Sequence, residues 1–155
     1  MADIATTASA VPVEVSTMTV ARDVMSPGAV CVQSDETAGD AARLMAQHGL
    51  GALPICGKDN KLKGVVTDRD LVTKVLAPGR DPGGMAAGSL NQAEAVTVGA
   101  DDDAGEVLDT MTEHKVRRLP VIDGDALVGM IALADVARTL PESETGRLVE
   151  AVSAD

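Results

Sequence analysis

The chain of 155 residues is long enough for one compact domain or two intimately packed halves, and each half alone is too short to bury a stable core. Its 24 acidic residues against 13 basic ones give a net charge of −11, and it contains no Phe, Trp or Tyr. Such a surface repels polyanions and offers no ring for a base to stack on, which argues against nucleic acid as a partner. No apolar run approaches the ~20 residues that span a bilayer, which argues against a membrane.

Residues 1–19 lack a basic stretch and an unbroken apolar run, so they read as a mobile leader rather than a signal peptide, and a cytoplasmic location is expected. Val20 to Met25 reads as a short entry helix stopped by Ser26-Pro27-Gly28. A strand is expected over Ala29 to Val32. Ser34 or Asp35 is then expected to cap a helix with an apolar stripe at Ala41, Leu44, Met45 and His48, and Gly49 suits its C-terminal turn. Strands are predicted at Ala52 to Cys56 and Leu62 to Thr67, joined by the turn residues Gly57-Lys58-Asp59-Asn60. A helix follows from Asp68 to Leu76, and residues 77–87, rich in Gly and Pro, read as a linker.

The same order then recurs. A strand is predicted at Ala95 to Val98, a helix from about Asp103 to His114, strands at Arg118 to Ile122 and Leu127 to Ala132, and a helix from Leu133 to Leu140. Residues 141–155 read as a tail that could turn helical around Leu148, Val149 and Val152. The recurrence is an internal repeat. Met45 and Met111, His48 and His114, and Pro54 and Pro120 each stand 66 residues apart, while Gly64 and Gly129 stand 65 apart. One residue has therefore been lost in the turn between Pro120 and Gly129. A repeat of this length is a supersecondary unit that buries its apolar face against its twin, so any site should occur twice, with differences.

Each copy carries a Leu-Pro-Ile/Val strand (Leu53-Pro54-Ile55, Leu119-Pro120-Val121). About ten residues on comes Gly-apolar-apolar-Thr/Ala-x-x-Asp, as Gly64-Val65-Val66-Thr67-x-x-Asp70 and Gly129-Met130-Ile131-Ala132-x-x-Asp135. This pairing resembles the tandem CBS-domain pair, or Bateman module, over residues 20 to 140. The resemblance implies an α/β (α+β) fold of two pseudo-symmetric β-α-β-β-α motifs, at 20–76 and 88–140, packed as one module. It also implies a stand-alone regulatory protein, not an enzyme, that assembles as a homodimer through its helices. The implied ligand is an adenine nucleotide or adenosyl compound (AMP, ADP, ATP or S-adenosylmethionine) in the clefts between the motifs. Gly51 to Gly57 and Val65 to Asp70 are particularly similar to small family members associated with stress or hypoxia.

The residue types suit that ligand in part. Thr67 can meet a ribose or phosphate oxygen, and Asp70 can accept both hydrogens of a ribose diol, because an ionised carboxylate only accepts. Thr67-x-x-Asp70 is equally a helix capping box, which needs no ligand. In the second copy Ala132 replaces the hydroxyl while Asp135 is kept, so the two sites cannot be equivalent. Lys115, Arg117 and Arg118 precede the second Leu-Pro strand, where the family often carries phosphate-facing cations; Arg117 and Arg118 are the stronger candidates, since guanidinium binds phosphate in a fork. Their counterparts Gly49, Gly51 and Ala52 are uncharged. Adenine would lie against aliphatic side chains: Val30, Val32, Ile55, Val65 and Val66 in one copy, Val96, Val98, Val121, Met130 and Ile131 in the other. Each of these doubles as plain core.

His48 and His114 end equivalent helices and read as structural, favoured by the negative end of the helix dipole. Asp101-Asp102-Asp103 matches Asp35-Glu36-Thr37, so helix capping explains it better than a cation does. Cys31 and Cys56 have no metal spacing; they read first as buried thiols of a reducing compartment, with a disulfide between neighbouring strands as the alternative. No phosphate loop, dinucleotide fingerprint or catalytic triad is present. Against the sensor stands a second reading: a homodimeric interaction protein, with an unknown protein partner, whose degenerate clefts stay empty.

Overall fold

A computed structural model describes residues 19–91 and 95–153; most of the expected leader lies outside the described residues. Both repeats fold in the order strand, helix, strand, strand, helix. The elements of the chain are α1 (Ala21–Val24), β1 (Ser26–Pro27), β2 (Val32–Gln33), α2 (Ala38–His48), β3 (Ala52–Cys56), β4 (Leu62–Thr67) and α3 (Asp68–Leu71). They continue as β5 (Val98–Gly99), α4 (Ala104–His114), β6 (Arg118–Asp123), β7 (Ala126–Ala132), α5 (Leu133–Thr139) and α6 (Glu142–Ser153). The chain divides into two compact units. Among the described residues one holds 28–91, Ala95 and Asp125–Leu127; the other holds 19–27, Val96–Gly124 and 128–153.

In the unit built on the first repeat, β2 runs parallel to β3 (Val32 opposite Ile55) and β3 antiparallel to β4 (Leu53 opposite Val66). Strand β3 is buried along its whole length, so its sequence shows no alternation. Val32, Ala41, Met45, Leu53, Ile55, Val66, Val75 and Leu90 close the core. In the other unit the sheet order is β1-β7-β6-β5, with Val107, Met111, Leu119, Val121, Ile131 and Val136 beneath it. Helix α6 adds Leu148 and Val152 to that core, so the C-terminal tail is helical from Glu142 to Ser153.

The lead-in segments are exchanged. Residues preceding the first repeat's β-strands are built into the unit of the second repeat, and the converse holds at the repeat spacing. Ala21 N–H donates to Asp102 O (2.8 Å) and Ala87 N–H to Glu36 O (2.7 Å). Arg22 N–H donates to Ala100 O (2.9 Å) and Gly88 N–H to Ser34 O (3.0 Å). Val20 bridges Asp103 as Ala86 bridges Thr37. Ala21 and Val24 are core residues of one unit; Ala87 and Leu90 are core residues of the other. Residues 77–87, read as a linker, thus contain a 3-10 turn at Pro82–Gly84 and end in the core at Ala87.

Four local expectations need correction. Helix α2 is capped by Thr37 rather than Ser34 or Asp35: Asp40 N–H donates to the Thr37 hydroxyl oxygen (3.0 Å), while the Asp40 carboxylate accepts from Thr37 N–H (2.9 Å). That amide, helped by Arg43, holds the Asp40 carboxyl below the usual aspartate range. Glu36 meanwhile turns back to Gln33 N–H (2.8 Å), which delays the helix to Ala38. Strand β2 begins at Val32, not Ala29, because β3 offers it ladder partners only at Ile55 and Cys56. Likewise β5 begins at Val98, paired with Val121. The helix expected over 68–76 is α-helical only to Leu71 and continues as a π-helical turn over Val72–Leu76. There Thr73 Oγ donates to Arg69 O (2.8 Å), a side-chain bond that competes with the helix ladder.

Candidate functional site

Each repeat ends its last strand in the same turn, and the carboxylate singled out in the sequence sits there. In the first repeat β4 delivers Thr67 in extended conformation to the start of α3, whose Asp68 N–H donates to Gly51 O (3.0 Å). The Asp70 Oδ2 atom accepts from Thr67 N–H (2.9 Å) and from the Thr67 hydroxyl (3.0 Å), and Asp70 N–H donates back to that hydroxyl oxygen (3.1 Å). The other oxygen, Oδ1, lies 3.2 Å from Lys74 Nζ, which also donates to Leu90 O at 2.6 Å. The Asp70 side chain keeps 22% of its surface exposed. The capping box is therefore formed, and one edge of the carboxylate still reaches solvent.

In the second repeat Leu133 N–H donates to Arg117 O (3.2 Å), which sets Arg117 beside the start of α5 as Gly51 stands beside α3. Ala132 N–H donates to Asp135 Oδ2 (2.8 Å), so the amide half of the box survives without a hydroxyl at position 132. Asp135 Oδ1 accepts instead from the Ser26 hydroxyl (2.9 Å), 109 positions away in the chain, and pairs with Arg138. Only 7% of the Asp135 side chain is exposed. Sequence reasoning missed Ser26 because nothing local links a lead-in residue to the far end of the chain. The nearest signal was the lone Ala132, which left a hydroxyl-shaped gap.

Lys115, Arg117 and Arg118 are exposed, and among the described residues none of them is held in an ion pair. Lys115 closes α4 in the left-handed conformation (φ 52°), the role Gly49 plays for α2 (φ 64°). Of the aliphatic candidates, Val32, Ile55 and Val121 are fully buried core, as are Val66 and Ile131. Val30 and Val96 are only partly buried and pack at the edges of their cores, and Val65 on β4 is also partly buried. His48 and His114 are exposed at their helix ends. Among the described residues no three His, Cys, Asp or Glu side chains gather as a metal-holding group. Cys31 and Cys56 are joined as a disulfide with Cα atoms 6.0 Å apart, the alternative to the buried thiols that the sequence favoured. The pairing follows from topology, since β2 leads from Cys31 alongside the end of β3.

The family model for the CBS domain matches this chain twice, at residues 21–77 and 87–142. The chain belongs to the CBS-domain family. It is a tandem CBS pair, and its two matches coincide with the two copies of the repeat. Hypoxic response protein 1 of Mycobacterium tuberculosis is 47% identical over 135 residues, covering 87% of this chain and 94% of that protein. A crystal structure of Hypoxic Response Protein I with two coordinated zinc ions superposes with a TM-score of 0.74 at 49% identity, covering 79% of this CBS pair and all of that chain. A crystal structure of CBSX2 in complex with AMP superposes with a TM-score of 0.66 at 25% identity, covering 77% of this chain and 94% of that one. No helix among the described residues is long and apolar enough to cross a membrane.

Proposed function

We propose that this CBS pair is a regulatory module that takes up an adenine nucleotide or adenosyl compound, with Thr67 and Asp70 as the ribose contacts of the first repeat and Arg117 and Arg118 as the phosphate contacts of the second. The observation that carries this reading is the part-exposed Asp70 carboxylate beside the Thr67 hydroxyl at the end of β4. A ribose diol donates two hydrogens, and an ionised carboxylate with an open edge accepts them. The unpaired guanidinium groups of the second repeat supply the cations that an acidic protein must place locally for a phosphate. The AMP complex of CBSX2 supports the choice of ligand class. Val30 and Val65 in the first repeat and Val96 and Met130 in the second are the aliphatic candidates with surface left for a base.

In this reading the chain performs no chemical step. The ligand acts by binding one state of the protein better than another, so its effect falls on stability, assembly or partner affinity. Assembly is as a homodimer through helices, in the cytoplasm, and the likeness to a hypoxic response protein supports a role under stress. Exposed Val72 and Leu76, on the helical turn after α3, are the apolar side chains that such an interface would cover. Calorimetric titration of AMP, ADP, ATP and S-adenosylmethionine tests the proposal: binding that disappears in Asp70→Ala supports it. Absence of heat and of thermal shift with every ligand at millimolar concentration would refute it. The same capping geometry favours one rival: Asp70 already has Thr67 and Lys74 as partners, as in an interaction module whose clefts stay empty.

A further inference from the structure

The two carboxylates gather the same kinds of donor: a main-chain amide from the N-cap position, one hydroxyl and one cation. For Asp70 these are Thr67 N–H, Thr67 Oγ and Lys74; for Asp135 they are Ala132 N–H, Ser26 Oγ and Arg138. What differs is where the hydroxyl comes from. Thr67 belongs to the same turn as its carboxylate and travels with it. Ser26 reaches Asp135 from a separate stretch of chain, and the carboxylate beneath it is cut to 7% exposure against 22% at Asp70.

We infer that Ser26 is a lid on the second carboxylate, and that it limits this chain to one bound nucleotide, at Asp70. The inference rests on the nucleotide reading above and assigns it a stoichiometry. Ser26 is itself exposed, as are Pro27 and Gly28. The segment is fastened to β7 by a ladder of two residues, Ser26 opposite Met130 and Pro27 opposite Gly129. Gly28 follows with φ of 69°, a backbone conformation that glycine adopts without strain. The lid is thus a two-residue strand whose hydroxyl can exchange Asp135 for water. Arg117 is held by its carbonyl at the start of the same helix, α5, with an exposed side chain, and the carboxylate uncovered is an acceptor for a diol. The ligand admitted there has the same chemistry as at the first site, a nucleoside monophosphate.

The test is equilibrium dialysis of AMP against the full-length chain, with stoichiometry as the readout. The expected result is one equivalent for the parent, two for Ser26→Ala, and a return to one for Ser26→Ala/Asp135→Ala and for Ser26→Thr, which restores a hydroxyl. One equivalent in Ser26→Ala, with a melting curve showing the variant folded, overturns the lid and leaves the Asp70 site standing. Two equivalents in the parent overturn it as well. Uptake confined to Ser26→Ala and lost with Asp135→Ala supports the lid while overturning the assignment to Asp70. No uptake by either protein overturns both. Should Ser26→Ala melt below the assay temperature, Ser26→Gly is read in the same way.

Discussion

The two β-strand-to-helix turns present one geometry with different residues. Thr67 and Ala132 hold nearly the same backbone angles (φ −114° for both, ψ 163° and 167°), and each amide is capped by the aspartate three residues on. Gly49 and Lys115 both close their helices left-handed, and Thr37 and Asp103 both cap the next amide but two. Shape is therefore fixed by the repeat, and chemistry is redistributed over it. The first copy keeps an open carboxylate with no cations before its Leu-Pro strand. The second keeps three cations and a carboxylate that is shut.

The largest test of the shared frame is in the helices. Met45 and Met111 are equivalent core residues, 6% and 0% exposed. Met111→Asp places an unpaired charge among Val107, Leu119 and Ile131, and unfolding by on the order of 5 kcal/mol is expected. Urea denaturation followed by circular dichroism measures it. A folded, monomeric Met111→Asp would show that this stripe faces a second subunit and not the core.

The disulfide separates the copies more selectively, because Thr97 and Ile122 stand where Cys31 and Cys56 do. The cross-link spans 25 residues, and closing a loop of that length in the unfolded chain stabilises the fold by about 3 kcal/mol. Cys31→Ser/Cys56→Ser should lose that amount in a denaturant titration. The loss should appear as earlier amide exchange over β2 and β3, with β5 and β6 unchanged. Equal loosening of both strand pairs would mean that the two units unfold as one.

Much of the frame was legible before the structure. The 66-residue offset, the core positions Ala41 and Met45 of α2, the Leu-Pro strands and the left-handed role of Gly49 are all local patterns that packing reinforces, whereas His48, read on the same stripe, is exposed. What escaped the sequence is non-local. The exchange of lead-in segments leaves no mark in Ala21-Arg22-Asp23-Val24 or Ala87-Gly88-Ser89-Leu90, since any small apolar segment can fill either core. Gly129 records it only in retrospect: a Cβ there would stand 2.8 Å from the Ser26 carbonyl oxygen, so the lead-in needs glycine to lie so close. The cap at Thr37 escaped for a different reason, because Ser34, Asp35 and Thr37 are all competent caps and the choice is made by Glu36 bonding to Gln33.

The carboxylates themselves should differ in what they contribute to stability. Asp70→Ala removes the part-buried third residue of a capping box, which costs about 1 kcal/mol. Asp135→Ala removes an acceptor at 7% exposure that joins Ser26, Ala132 and Arg138, so a loss of about 2 kcal/mol is expected, with β1 detached from β7. Thermal melts of the two variants side by side decide it. Equal costs would mean that Ser26 rests on Asp135 without holding it, and the lid would lose its mechanical basis.

The smallest effect is the most pointed, because it sets stability against charge. Lys115 occupies a left-handed position that its counterpart fills with glycine, and a side chain there strains the backbone by roughly 1 kcal/mol. Lys115→Gly should therefore raise stability by up to about that much, less the entropy glycine gains in the unfolded chain. If the lysine serves only as a solvated surface charge, nothing else changes. If it helps Arg117 and Arg118 draw in a phosphate, the same variant binds AMP more weakly while melting later, and the deficit shrinks as salt is added. A more stable protein with weaker, salt-sensitive binding would mean that strain is kept at this turn for the sake of its charge.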